Sequence, residues 1–188
     1  MPHPHLASAD SSVLVVVDVQ EPFAQAMPDR AGLTKQITTL VRVANGIGLP
    51  VLVTEQYPEK LGPTVPEIRE VLEELGLYSP LGKMTFSCCA SEDFVQQVYD
   101  SGRDTLIVTG IEAHVCVQQT VLEAMNLGYK VHVVNDAIAS RRPEDRTIAL
   151  EKMRHAGAIV SGVEMIAYEL LGRGGTPEFK AAQQYLKW

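Results

Sequence analysis

Three residues of this sequence carry side chains that together could run nucleophilic catalysis: Asp18, Lys83 and Cys116. Cys116 stands where a helix is expected to open, and the unpaired N–H groups of a first helical turn favour a thiolate and can receive an oxyanion. An ammonium such as that of Lys83 would add to the stabilisation of a thiolate. A carboxylate such as that of Asp18 could take the thiol proton and later return it to a leaving group. Each also has a structural explanation: a free cysteine usually packs, an aspartate can fix a turn, and a lysine is normally solvated.

What gives the three a common address is the pattern of elements around them. Val13-Leu-Val-Val-Val-Asp18 is a β-branched run ending in an acid, which predicts a central strand buried on both faces. Apolar residues at Ile37, Leu40, Val41, Ala44 and Ile47 predict a helix over 34–47, with Thr34 as its cap and Gly48 as its stop. Strands are expected at 51–53, 105–108, 131–134 and 158–160, with a short one at 84–86. Helices are expected at 65–75, 91–99, 116–127, 143–155 and 163–171. Strands alternating with amphipathic helices predict an α/β fold: an open, doubly wound parallel sheet with helices on both faces. In such a sheet ligands bind beyond the carboxyl ends of the strands. The residues there are Asp18, the run 54–57, the run 83–87, the run 110–116, and Asn135 with Asp136.

Bulk properties narrow the partners. The 188 residues suit one domain, with 46% apolar and 21% charged residues and a formal net charge of -7. No basic cluster exists to displace counterions from phosphates, so nucleic acid is an unexpected partner. No apolar run reaches the ~20 residues of a membrane span, and the start lacks the features of a secretory signal. Three cysteines, two of them adjacent at Cys88 and Cys89, suit a reducing, cytoplasmic compartment better than a disulfide scaffold. Residues 1–12 read as a disordered lead-in, 13–171 as the domain, and 172–188 as a tail that docks on a neighbouring subunit.

The phrases Val15-Val-Val-Asp18-Val-Gln20-Glu-Pro-Phe23, Gly82-Lys83-Met-Thr-Phe-Ser87 and Val108-Thr-Gly110-Ile-Glu-Ala-His-Val-Cys116-Val resemble the isochorismatase-like cysteine hydrolases. The Thr54-Glu-Gln-Tyr-Pro loop is most similar to the isochorismatase domain-containing branch. The resemblance runs from about Val13 to Leu171. It implies a Rossmann-like sheet of six parallel strands and a catalytic trio of Asp18, Lys83 and Cys116. It further implies a cis peptide at Ile111-Glu112 and an oxyanion hole of the Glu112 and Cys116 N–H groups. The implied reaction is hydrolysis of a small-molecule amide-like or ester-like bond through a covalent Cys116 intermediate, in a homo-oligomer.

Departures from the family pattern matter as much. The place where nicotinamidases carry an Asp-x-His metal motif reads Thr54-Glu-Gln-Tyr-Pro-Glu-Lys-Leu-Gly62, without histidine. No metal and no cofactor are therefore expected. The pocket candidates are Gln20, Phe23, Gln56, Tyr57, Phe86 and His114. Two other classes compete. A dinucleotide-binding oxidoreductase requires Gly-x-Gly-x-x-Gly after the first strand, where this chain has Asp18-Val-Gln-Glu-Pro-Phe. A non-enzymatic oligomeric or small-molecule-binding protein would keep the trio without using it.

Overall fold

The computed structural model describes residues 3–186. The apolar run Ser12–Val17 forms β1, buried along its whole length, because it lies between two other strands and under helices on both faces. A short helix α1 (Glu21–Ala24) leads to α2 (Arg30–Gly46). α2 starts four residues before the expected cap at Thr34, because the side chain of Asp29 accepts the Gly32 N–H at 2.8 Å and closes the first turn. Then come β2 (Val51–Gln56), α3 (Pro58–Leu61), α4 (Pro66–Glu74) and β3 (Leu81–Lys83).

β3 lies just before the 84–86 segment expected as a strand. It is an edge strand of three residues, held by pairing with β2 from Thr54↔Leu81 to Gln56↔Lys83. A short 3-10 turn at Cys88–Ala90 precedes α5 (Glu92–Asp100) and β4 (Thr105–Ile111). One π turn, Ala113–Val117, then leads into α6 (Gln118–Asn126). The chain closes with β5 (Lys130–Ala139), α7 (Pro143–His155), β6 (Ile159–Ser161), α8 (Val163–Leu171) and α9 (Pro177–Leu186).

All six strands run parallel in the order β3-β2-β1-β4-β5-β6. The two halves of the chain wind outward from β1, so the topological switch lies between β1 and β4. Alternation along β1 sorts the core. Leu14 and Val16 pack with Ile37, Leu40, Ile68 and Ile166, while Val13, Val15 and Val17 pack with Phe94, Val121 and Met153.

Gly110 is where β4 must pass close to β1. Its φ of +109° suits glycine, and an added Cβ would sit 2.1 Å from the Val17 carbonyl oxygen. The β4–β5 register shifts at this point, between Val108 and Gly110.

The lead-in departs from the expected disorder and is held in place: Ala7 is buried, its N–H donates to Glu169 Oε2 at 2.8 Å, and the Arg103 guanidinium donates to the Ala9 carbonyl. Met1 and Pro2, which belong to the same expectation, lie outside the described residues. Helix α9 of the tail packs on its own chain, where Ala182 meets Val43 of α2 and Ala167 of α8, and Lys187 and Trp188 lie outside the described residues. Arg42 of α2 also covers the Tyr185 ring, 5.5 Å from its centroid. No helix among the described residues is long and apolar enough to cross a membrane.

Candidate active site

Asp18 is the first residue beyond β1 and takes a left-handed backbone, φ +51°, which aspartate tolerates better than most side chains. Lys83 ends β3, and Cys116 lies in the π turn after β4. Parallel strands starting from one side deliver these three ends to one edge of the sheet.

There the Lys83 ammonium donates to Asp18 Oδ2 at 2.6 Å, with both side chains 1% exposed or less. It also donates to Gln56 Oε1 at 2.8 Å and to the carbonyls of Thr85 and Phe86, each at 3.0 Å. Thr54 occupies the other oxygen of the aspartate, donating to Oδ1 at 2.7 Å. A pair this dry is expensive to desolvate and persists only with its hydrogen bonds satisfied.

Cys116 is 6% exposed. Burial pushes its thiol far up from the ordinary range, and the negative charge of Asp18 adds to the shift. The Lys83 ammonium pulls the other way and is outweighed. Burial thus works against the thiolate that an ammonium and a helix mouth are expected to favour. Desolvation is the main reason, and Lys83, already matched by Asp18 at 2.6 Å, offsets it only in part. A thiol facing an ionised acid can still be a nucleophile, provided that the acid takes the proton as the sulfur attacks.

Cys116 opens onto a cavity of about 260 Å³. Phe23, Phe86, Ile111 and Val115 supply its apolar walls, and Gln56, Glu112 and Arg141 its polar ones. The polar walls are largely engaged with each other. Gln56 Nε2 donates to the Met84 carbonyl at 2.9 Å, and Arg141 holds the Glu112 carboxylate through its backbone N–H at 3.0 Å and its guanidinium at 2.9 and 3.2 Å. The Ile111-Glu112 peptide at this wall is cis. A larger cavity of about 360 Å³, between α2 and the β5–α7 connection, contains neither the cysteine nor its neighbours. Among the described residues, no group of three or more His, Cys, Asp or Glu side chains is placed to hold a metal ion.

Of the six pocket candidates, Phe23, Gln56 and Phe86 line the cavity and three do not. Gln20 is a tie between loops: its Nε2 donates to the carbonyls of Gln56 (2.9 Å) and Gly62 (2.7 Å), and its Oε1 accepts from the Gln56 N–H (2.7 Å). Tyr57 turns the chain at φ +40° and donates its N–H to the Lys83 carbonyl, with its ring under the Lys60 ammonium. His114 Nδ1 lies 3.0 Å from Ser140 Oγ, and its Nε2 lies 3.9 Å from Asp145 of α7.

One wall residue, Arg141, escaped the sequence reading, while Val115 falls within the expected run 110–116. Arg141 follows β5, and the strand-end rule would have found it had the strand been drawn to Ala139. The polar Asn135-Asp136 pair breaks the apolar run that marks the strand.

Comparison with known proteins gives the family and agrees with the fold. The isochorismatase domain model matches residues 12–165. Isochorismatase domain-containing protein 2 of Macaca fascicularis is 39% identical over 179 residues, spanning 94% of this chain and 83% of its own. A solved structure of MAR1 ribonuclease from Caenorhabditis elegans superposes with a TM-score of 0.88 at 36% identity, covering 96% of this chain and 92% of that one. The YcaC gene product of Escherichia coli, described as an octameric hydrolase of unknown specificity, superposes with a TM-score of 0.82 at 25% identity. It covers 92% and 85% of the two chains.

Proposed function

The chain belongs to the isochorismatase family, a membership that supports a hydrolase-type function, and we propose that it hydrolyses a small-molecule amide-like or ester-like bond through a covalent Cys116 intermediate. The observation that carries this reading is the dry Asp18–Lys83 pair at 2.6 Å beside a nearly buried thiol, at the wall of a cavity. Core packing gains little from such a pair, since buried ion pairs are often replaced by apolar residues of similar volume without loss of stability.

In the proposed reaction, Asp18 accepts the Cys116 proton as Sγ bonds to the substrate carbonyl carbon. The N–H groups of Glu112 and Cys116 receive the oxyanion. The tetrahedral adduct collapses to a thioester, and Asp18 returns its proton to the departing amine or alcohol. Water then attacks the thioester with Asp18 as base, which releases the acid and restores the thiol. Lys83 holds the Asp18 carboxyl group in place throughout.

Apolar walls and self-paired polar ones favour a compact substrate whose acyl group is apolar. The ribonuclease named for the C. elegans relative would need cations free for phosphate, whereas Arg141 at this cavity is paired with Glu112 and the chain carries a net charge of -7. A homo-oligomer belongs to the same proposal. The E. coli relative is described as octameric, and Met84 and Phe86 beside the cavity are 65% and 56% exposed.

The test is the adduct itself. Mixed with p-nitrophenyl acetate, the protein is expected to release a burst of nitrophenol and to carry one acetyl group on Cys116, read by peptide mass spectrometry. Acetylation confined to surface lysines, with no burst, would favour a binding protein instead.

A further inference from the structure

Thr54 of β2 plays no part in the steps above, yet its hydroxyl touches both the proposed base and a second buried thiol. Oγ1 lies 2.7 Å from Asp18 Oδ1 and 3.5 Å from Cys88 Sγ, and Asp18, Thr54 and Cys88 are all fully buried. A carboxylate has no proton to give, so the threonine hydroxyl donates to Asp18. Only lone pairs then remain on Oγ1, so the Cys88 thiol donates to Thr54. The direction of the whole line is thereby fixed, from Cys88 through Thr54 to Asp18.

The far end of the line is anchored as well. The Cys88 N–H donates to Thr120 Oγ1 at 2.9 Å, and the Thr120 hydroxyl donates to the Cys116 carbonyl at 2.7 Å. Asp18 on β1 and Cys116 after β4 are thus joined by a continuous frame through Thr54, Cys88 and Thr120. We propose that Thr54 is a positioning residue, which with Cys88 and Thr120 registers the Asp18 carboxylate to the Cys116 sulfur.

What needs positioning is a rotation. The torsion that turns the carboxylate group of an aspartate is soft. Held by Lys83 alone, the group can swing both oxygens toward the ammonium. The Thr54 bond to Oδ1 holds its plane, so that proton transfer from sulfur proceeds without reorganisation.

This inference rests on the cysteine hydrolase reading, and the two fail differently. Thr54→Val keeps the shape and removes the hydroxyl, while Thr54→Ser keeps the hydroxyl. With p-nitrophenyl acetate, Thr54→Val is expected to lower kcat between about tenfold and a hundredfold with KM within about twofold. Thr54→Ser is expected to restore kcat to within about threefold. Should the valine variant not fold, Cys88→Ala breaks the line one step further out, with an expected kcat loss of about threefold to tenfold that Cys88→Ser reverses. Native kcat in Thr54→Val, or in Cys88→Ala where that variant stands in, would overturn the frame, and so would a serine variant as poor as the valine one. Cys116→Ala, run alongside, separates the readings. If it is inactive while Thr54→Val is native, the frame alone fails. If it is as active as the native chain, the cysteine chemistry fails with it.

Discussion

Cys116→Ala is expected to lower turnover of p-nitrophenyl acetate by about 10⁴-fold or more while leaving the fold intact. The covalent route has one attacking atom, and residues that act as a unit are lost together when any one is removed. What remains is whatever the cavity and its N–H groups do for direct attack by water. Stability should change little, because the substitution deletes a single sulfur at a 6% exposed position, an effect of about 1 kcal/mol. Steady-state kinetics and thermal melts of the same preparations check both halves. Native turnover in this variant would end the covalent reading.

Lys83→Met is expected to be damaging in a different way. It removes the ammonium from a pair whose members are 1% and 0% exposed and leaves the Asp18 carboxylate buried beside Thr54 alone. Breaking such a pair from one side costs about 3–5 kcal/mol, mostly the penalty of a stranded charge. Turnover should fall with it, since Asp18 loses the 2.6 Å bond that holds it in place. The combination Asp18→Asn with Lys83→Met removes the stranded charge, and asparagine tolerates the left-handed backbone at this position. That double variant is expected to recover most of the lost stability in urea unfolding and none of the activity. Single losses that simply add would contradict the account of the pair as one unit.

The parts of this site that were legible in the sequence are those set by pattern. The β-branched run before Asp18 and the strand-helix rhythm fix the sheet, and the sheet dictates that strand ends share one edge. Lys83 is legible within the strand-end run 83–87 and takes its role from the resemblance, whereas β3 itself is not, because a three-residue edge strand containing Gly82 leaves no periodicity to read. Side-chain bonds across elements were invisible. Gln20 looked like a pocket residue because it follows β1, but it ties loops together through three hydrogen bonds to Gln56 and Gly62. Thr54 stood among the strand-end candidates with nothing to distinguish it from Glu55, whose carboxylate instead pins a loop through Thr64 and Tyr78. The upward push on the Cys116 thiol was not legible, because it depends on the depth of burial and on which neighbour Lys83 pairs with.

The most direct test of base and nucleophile acting together is the pH dependence of Cys116 alkylation by iodoacetamide, followed by peptide mass spectrometry. A free thiol, with a pKa of ~8.5, loses roughly a hundredfold in rate between pH 8 and pH 6 as its thiolate disappears. Here burial and the Asp18 charge push the thiol up, and in the proposed reaction the proton passes to Asp18 as the sulfur attacks. The native protein is therefore expected to show a rate that changes by less than about threefold across that range, and Asp18→Asn to lose this reactivity. A native rate that falls as steeply as that of a free thiol, and is unchanged in Asp18→Asn, would contradict it.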